Sequence, residues 1–244
     1  MYEFEKYLPK IKQKFPNYRF SWEILTDLML EHTARKPYWL DIGAGANVLI
    51  EEQPGAEFGV GLDVEKPEKC FTDLKSAYCV ASIYNIPLAD NTFDFITSRY
   101  TFEHLEYPQK AFTEVVRVMK PGGTFIMQTT NVLNPLLFAA RFIPFPIKKV
   151  ILKKIFKDNP SGIFKTHYKI NTPSAVVSLA NINRIKKDLI LEELILNEDI
   201  LCQRKLLFTL TFQMYKLIRL FGADSLMGNI IAVFKKRMVK QADV

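Results

Sequence analysis

The sequence predicts a doubly wound α/β fold: a parallel sheet covered by helices on both faces. Two observations carry this. Five short apolar runs, Tyr38–Ile42, Phe58–Asp63, Tyr78–Ala81, Phe93–Thr97 and Thr124–Gln128, lack the regular polar alternation of a strand with one wet face. Near-continuous apolar strands belong to sheets buried on both sides. An amphipathic stretch over about 107–119 lies between the last two runs, with Ala111, Phe112, Val115, Val116 and Met119 at helical spacing. The right-handed crossover rule then winds all strands in one sense.

The elements follow in order. Residues 3–15 and 20–35 read as helices broken at Pro16-Asn17, with Trp22, Leu25, Leu28 and Met29 on one face and Ser21 as N-cap. The first run stops at Gly43-Ala44-Gly45 and the second ends on Asp63. Pro121-Gly122-Gly123 ends the amphipathic helix and turns the chain into the fifth strand. Residues 132–185 carry Pro135, Pro144, Pro146 and Pro160 and read as an insertion over one end of the sheet. Strand signals return at Asp188–Leu196 and Asn229–Phe234, around a long helix at about 200–221. The whole reads as one domain over 1–244: N-terminal helices to 36, a core over 37–131, a cap over 132–186, and final strands over 187–244.

Composition bounds the function. Apolar residues make up 48% and charged residues 24% of 244, which excludes disordered and fibrous classes. Cys70, Cys79 and Cys202 are odd in number and lack C-x-x-C spacing, so no metal site or disulfide framework is expected, and a reducing, cytoplasmic setting fits. No secretory signal is read at the start. The longest uncharged stretch, Pro121–Ala140, is broken by Gly122-Gly123, Gln128, Asn131, Asn134 and Pro135, so no membrane-spanning helix is expected. Charge is uneven: residues 1–131 hold 14 Lys and Arg against 18 Asp and Glu, whereas residues 132–244 hold 19 against 8. That asymmetry points to an anionic partner for the C-terminal part.

Ligands of doubly wound sheets bind beyond the carboxyl ends of the strands. Gly43 and Gly45 after the first strand allow close backbone approach. Asp63 follows 18 residues after Gly45, where an acid can accept bonds from ribose hydroxyls. Ser82-Ile83 follows the third strand and Ser98-Arg99 ends the fourth. A nicotinamide site is disfavoured, because Val48 replaces the third glycine of the dinucleotide fingerprint and Asp41 places negative charge near a diphosphate.

Four segments in this order and spacing resemble the class I S-adenosylmethionine-dependent methyltransferases, close to their type 11 group, from about Tyr38 to Asn131. They are Leu40-Asp41-Ile42-Gly43-Ala44-Gly45, Gly61-Leu62-Asp63, Ile86 to Asp94, and Glu114 to Gly123. The resemblance implies a Rossmann-like three-layer α/β/α sandwich. Its mostly parallel sheet would have seven strands in the order 3-2-1-4-5-7-6, with the last strand antiparallel. It also implies S-adenosylmethionine as cofactor and methyl transfer as activity. Gly43, Ala44 and Gly45 would meet its amino-acid part, and Asp41 would hold the amino group. Asp63 with Val64 would bind the ribose, Ile83 would offer its backbone to the adenine, and Ser98 would lie near the methionine end. Ser82 stands where many members have an adenine-binding Asp, and Asn47 where many have a small residue.

A base is needed only when the acceptor arrives protonated. His104 follows strand four and reads as a candidate base, and His167 in the insertion as a candidate acceptor contact. Glu103 and Tyr100 are further candidates, while His32 reads as a surface or lid residue. Residues 146–157 form a basic amphipathic pattern, and Arg204–Phe221 is apolar nearly all round. Both fit an anionic membrane surface, and with it peripheral attachment and a small-molecule, glycan or lipid-linked acceptor. A nucleic-acid acceptor is disfavoured, because Thr97-Ser98-Arg99-Tyr100 stands where base-amine methyltransferases carry an N-P-P-Y-like segment. A non-catalytic scaffold keeping the fold is the other alternative.

Overall fold

The computed structural model describes residues 3–46, 49–50, 55–65, 72, 75–148, 150, 164–182, 185 and 187–238. In chain order these form α1 (Glu3–Lys14), α2 (Ser21–Thr33), β1 (Tyr38–Ile42), β2 (Phe58–Asp63), β3 (Ser76–Val80) and β4 (Phe93–Arg99). There follow α3 (Pro108–Val118), β5 (Met119–Thr130), α4 (Pro135–Arg141), α5 (Pro173–Ala180), β6 (Leu189–Asn197), α6 (Lys205–Leu220) and β7 (Asn229–Lys236). The sheet order is β3-β2-β1-β4-β5-β7-β6, and β7 alone runs opposite to the other six strands. This is the Rossmann-like arrangement that the sequence led us to expect.

Both faces of the sheet are covered, which explains why its strands read as apolar runs. On one face α3 buries Ala111, Phe112, Val115 and Val118, and α5 adds Val176 and Leu179. Phe112 sits edge-on to Phe102, Phe125 and Phe234, with ring centroids 5.2, 5.7 and 5.3 Å away, a favoured aromatic geometry. On the other face Leu25 and Met29 of α2 pack on Trp39, Phe95, Ile126 and Ile231. A separate cluster joins α1 to α6 through Ile11, Tyr18, Phe208, Phe212 and Tyr215.

Several expectations are corrected. Phe20, not Ser21, caps α2, and its backbone N–H donates to Glu23 Oε2 at 2.7 Å. Ser21 lies inside the helix because its hydroxyl and N–H are drawn to Asp199. Pro121-Gly122-Gly123 does not end α3. That helix stops at Val118 because Met119 already pairs with Phe93, and β5 continues through the glycines across a register shift. The long C-terminal helix starts at Lys205 rather than 200, because Ile200 N–H donates to the Tyr18 hydroxyl (2.8 Å) and pins that approach outside the helix. It is also one-sided, leaving Leu206, Leu210, Leu217 and Leu220 exposed. The insertion is no mere cap, since α5 belongs to a core layer. Its cap portion begins with α4, where the Asn134 side chain accepts the N–H groups of Leu136 and Leu137. Asn47, Val48, Cys70 and, within the basic stretch 146–157, residues 149 and 151–157 lie outside the described residues.

Candidate functional site

The carboxyl ends of β1, β2 and β4 and the loop after β3 enclose a cavity of about 500 Å³, the scale of a small-molecule pocket. Gly43 and Gly45 form one wall, with Asp63 and Val64 beside them. Ser82, Ile83 and Tyr84 follow from the loop after β3, and Arg99, Tyr100, Thr101 and His104 from the loop after β4. Phe164 and Lys165 of the cap complete it.

The two glycines answer different needs. Both have positive φ, 75° at Gly43 and 52° at Gly45. A Cβ on Gly43 would stand 1.8 Å from Thr101 Oγ1, so the protein's own packing excludes a side chain there. A Cβ on Gly45 would meet nothing within 4 Å, so the space it would fill lies open beside the cavity. The loop is stitched down by Gly43 N–H and Ala44 N–H, which both donate to the Leu62 carbonyl at 2.7 and 3.1 Å. Tyr78 on β3 buttresses it, its hydroxyl 2.8 Å from the Gly45 carbonyl.

Asp63 is oriented by two backbone N–H groups. Its Oδ2 accepts Gly45 N–H at 3.0 Å and its Oδ1 accepts Val64 N–H at 2.7 Å. Each oxygen keeps a further lone pair, a pattern suited to two neighbouring hydroxyls. Ser82 accepts Tyr84 N–H on its hydroxyl at 3.2 Å, and Ile83 is a buried part of the cavity wall.

Other expected ligand contacts lie off the cavity wall. Asp41 is buried beside Trp39 on one face of β1, since side chains two apart share a face. Trp39 Nε1 donates to Thr97 Oγ1 (2.8 Å), and Thr97 Oγ1 donates to Asp41 Oδ1 (2.6 Å). Burial pushes the Asp41 carboxyl up to about 6, against the Thr97 hydrogen bond that lowers it. Ser98 is likewise buried, and its hydroxyl donates to the Ile42 carbonyl at 3.0 Å, tying β4 to β1. Ala44 is spent on Leu62 and does not line the cavity.

Among the candidate proton carriers, His104 lines the cavity. Its Nδ1 lies 3.0 Å from the Lys165 carbonyl, which only accepts, so Nδ1 carries the proton in this arrangement. In the neutral ring Nε2 is then unprotonated, and it lies 3.6 Å from Glu103 Oε1. Glu103 is anchored elsewhere, its Oε2 accepting the Thr130 hydroxyl (2.8 Å) and N–H (3.1 Å). His167 is off the wall and reaches the site only through its backbone, donating to the Glu103 carbonyl at 2.9 Å. Tyr100 is bound on both sides, accepting from Gln128 Nε2 (2.8 Å) and donating to Asn229 Oδ1 (2.9 Å). Burial pushes its phenol far above the usual range, which disqualifies it as a base at neutral pH. His32 is no lid: its ring stacks on Phe95, centroids 5.2 Å apart, and burial lowers its pKa.

Sequence reasoning missed Thr101, Tyr84, Tyr78, Phe164 and Lys165. The first two lie within four residues of predicted strand ends, in the loops that the strand-end rule points to. Tyr78 sits inside an apolar run, and Phe164 and Lys165 arrive from an aperiodic loop without a local signal. Among the described residues, neither Arg99 nor Lys165 appears in an ion pair.

Residues 40–127 match a family of methyltransferase domains. A protein of Schizosaccharomyces pombe named an uncharacterized methyltransferase is 26% identical over 137 residues, which is 49% of each chain. The chain thus matches about half the length of that curated relative. An S-adenosylmethionine dependent methyltransferase from Mesorhizobium loti superposes with a TM-score of 0.55 at 16% identity, covering 86% of this chain and 94% of that one. The cyclase SpnF superposes with a TM-score of 0.52 at 14% identity, covering 91% and 85%. These two likenesses concern the fold alone.

Proposed function

We propose that this chain, whose residues 40–127 match a family of methyltransferase domains, is a class I S-adenosylmethionine-dependent methyltransferase that transfers a methyl group to a small-molecule, glycan or lipid-linked acceptor held in the cavity. The observation that carries this is the pairing of Asp63 with the open face at Gly45. A carboxylate oriented by two backbone N–H groups stands next to a loop that leaves room for a ligand.

When bound, S-adenosylmethionine supplies a methyl group already activated on a sulfonium. The protein's task is then mainly to position the acceptor. Asp63 holds two neighbouring hydroxyls through the free lone pairs of its oxygens. The backbone around Ser82 and Ile83 meets a flat ring, and Tyr84 and Leu105 help exclude water from that end. Arg99 and Lys165 supply cations for a carboxylate or phosphate on cofactor or acceptor. An acceptor that arrives protonated gives its proton to His104 Nε2, while Nδ1 keeps its own on the Lys165 carbonyl.

Calorimetric titration tests the reading. S-adenosylmethionine and its demethylated product should bind saturably and NADH should not. Asp63→Ala should weaken binding by about tenfold or more, since it removes hydrogen bonds to a charged acceptor. A folded protein that binds neither compound would sink the proposal and favour a scaffold.

A further inference from the structure

The cap carries an apolar ridge that nothing among the described residues covers. α4, Pro-Leu-Leu-Phe-Ala-Ala-Arg, has no buried residue. Phe142, just past it, is 71% exposed, and Phe138, Phe145, Ile147 and Val150 are exposed as well. A run of large apolar side chains turned to solvent marks an interaction surface rather than scattered surface hydrophobes.

Its charge narrows the partner. From Val115 to Val150 the chain has no Asp or Glu. Arg141 and Lys148 stand within the ridge, each 5.6 Å from the Tyr168 ring, and Lys148 Nζ lies 3.0 Å from the Tyr168 hydroxyl. A second copy of the chain would set like charges against each other. An anionic bilayer accepts both the apolar side chains and the cations.

The ridge also stands at the cavity end of the sheet. α4 begins five residues after β5 ends, and Asn134 at its start donates to Glu198 Oε2 and the Leu226 carbonyl. Tyr168, which both cations face, follows His167, whose N–H is bonded to Glu103 beside His104. We propose that the surface formed by Phe138, Phe142, Phe145, Ile147 and Val150, with Arg141 and Lys148, seats the protein on an anionic lipid surface and brings the cavity mouth near it.

The proposal does not rest on the methyl-transfer reading, because lipid binding is measured without cofactor. Flotation of the whole protein with vesicles of phosphatidylcholine alone, or of phosphatidylcholine with phosphatidylglycerol, tests it. We expect binding at low salt to the anionic vesicles only, weakening as salt rises. Phe142→Ser with Ile147→Ser should lower partitioning by about tenfold or more. Arg141→Gln with Lys148→Gln should lower it and flatten the salt dependence. An unchanged thermal melt establishes that the variants, all at exposed or half-exposed positions, are folded. No binding by folded wild-type protein overturns the proposal. So does binding that the Phe142 and Ile147 changes leave unaltered, which would put the contact elsewhere. Self-association that these same changes abolish, with no vesicle binding, also overturns it and makes the ridge an interface between copies.

Discussion

Gly43 and Gly45 offer a paired test, because a methyl group added two residues apart should do opposite things. Alanine at either site must adopt a left-handed backbone, φ 75° or 52°, at a cost of about 1–2 kcal/mol. At Gly45 the new Cβ has nothing within 4 Å, so strain is the whole cost. For a chain of 244 residues that is a fall of about 2–4 °C in Tm. At Gly43 the Cβ meets Thr101 Oγ1 at 1.8 Å and Thr101 Cβ at 2.8 Å, so overpacking adds about 1–3 kcal/mol. Gly43→Ala should therefore melt clearly below Gly45→Ala, and Thr101→Ala should restore part of the difference by removing the worst contact. Ligand binding should follow a different order. Gly45→Ala fills open space beside the cavity and should weaken S-adenosylmethionine by about tenfold or more while staying folded. Differential scanning calorimetry and titration calorimetry on the same preparations read both. Equal melts for the two variants would refute the packing argument at Gly43. Wild-type affinity in Gly45→Ala would refute the loop as the ligand bed.

Two further outcomes follow from the same geometry. Arg117 donates to Glu114, Asp90 and the carbonyls of Ile86 and Leu88 at 2.7–2.9 Å, clamping the segment before β4. Arg117→Met should cost about 2–4 kcal/mol, and a Tm within about 2 °C of wild type would count against the clamp. Burial pushes the Glu198 carboxyl up to about 8, against the lowering hydrogen bond from Gly228 N–H. The folded chain thus keeps a proton that the unfolded chain releases near its ordinary value of 4.5. The associated stability is full below that value and is lost as pH rises toward about 8, by up to about 1.4 kcal/mol per pH unit. Glu198→Gln keeps an acceptor for Asn134 and Gly228 and should flatten this slope. Melts across neutral pH that slope as in wild type would refute it.

The central strands were legible because β1 and β2 are buried along nearly their whole length and are followed by glycine or end on an acid. β1 and β2 run over the same residues, Tyr38–Ile42 and Phe58–Asp63, that the sequence marks. β5 was less legible, since Pro121 and Gly122-Gly123 signal a break that strand pairing overrides. Of the residues that the sequence singles out at the strand ends, some line the cavity and others lie off its wall. Asp63 closes β2 and lines the cavity. Asp41 and Ser98 sit just inside the ends of β1 and β4, and the two-residue alternation sends them into the interior. The cap side of the cavity could not be foreseen. Phe164 reaches the His104 ring, 5.8 Å between centroids, across 60 residues of chain with no repeating pattern.

The position of β7 has a consequence for how the molecule is made. It lies between β5 and β6, yet it is the last of the seven to leave the ribosome. β6 pairs with no other strand, so it must wait for β7 to be synthesised, and through that interval the outer edge of β5 also stands open. Such edges invite pairing with other chains. β6, complete at Asn197, waits about 30 residues, or a few seconds of elongation, for β7 to begin at Asn229, and the β5 edge, complete at Thr130, waits about 100. A slowed ribosome over the α6 segment lengthens the period of risk, and a holdase that shelters β6 shortens it.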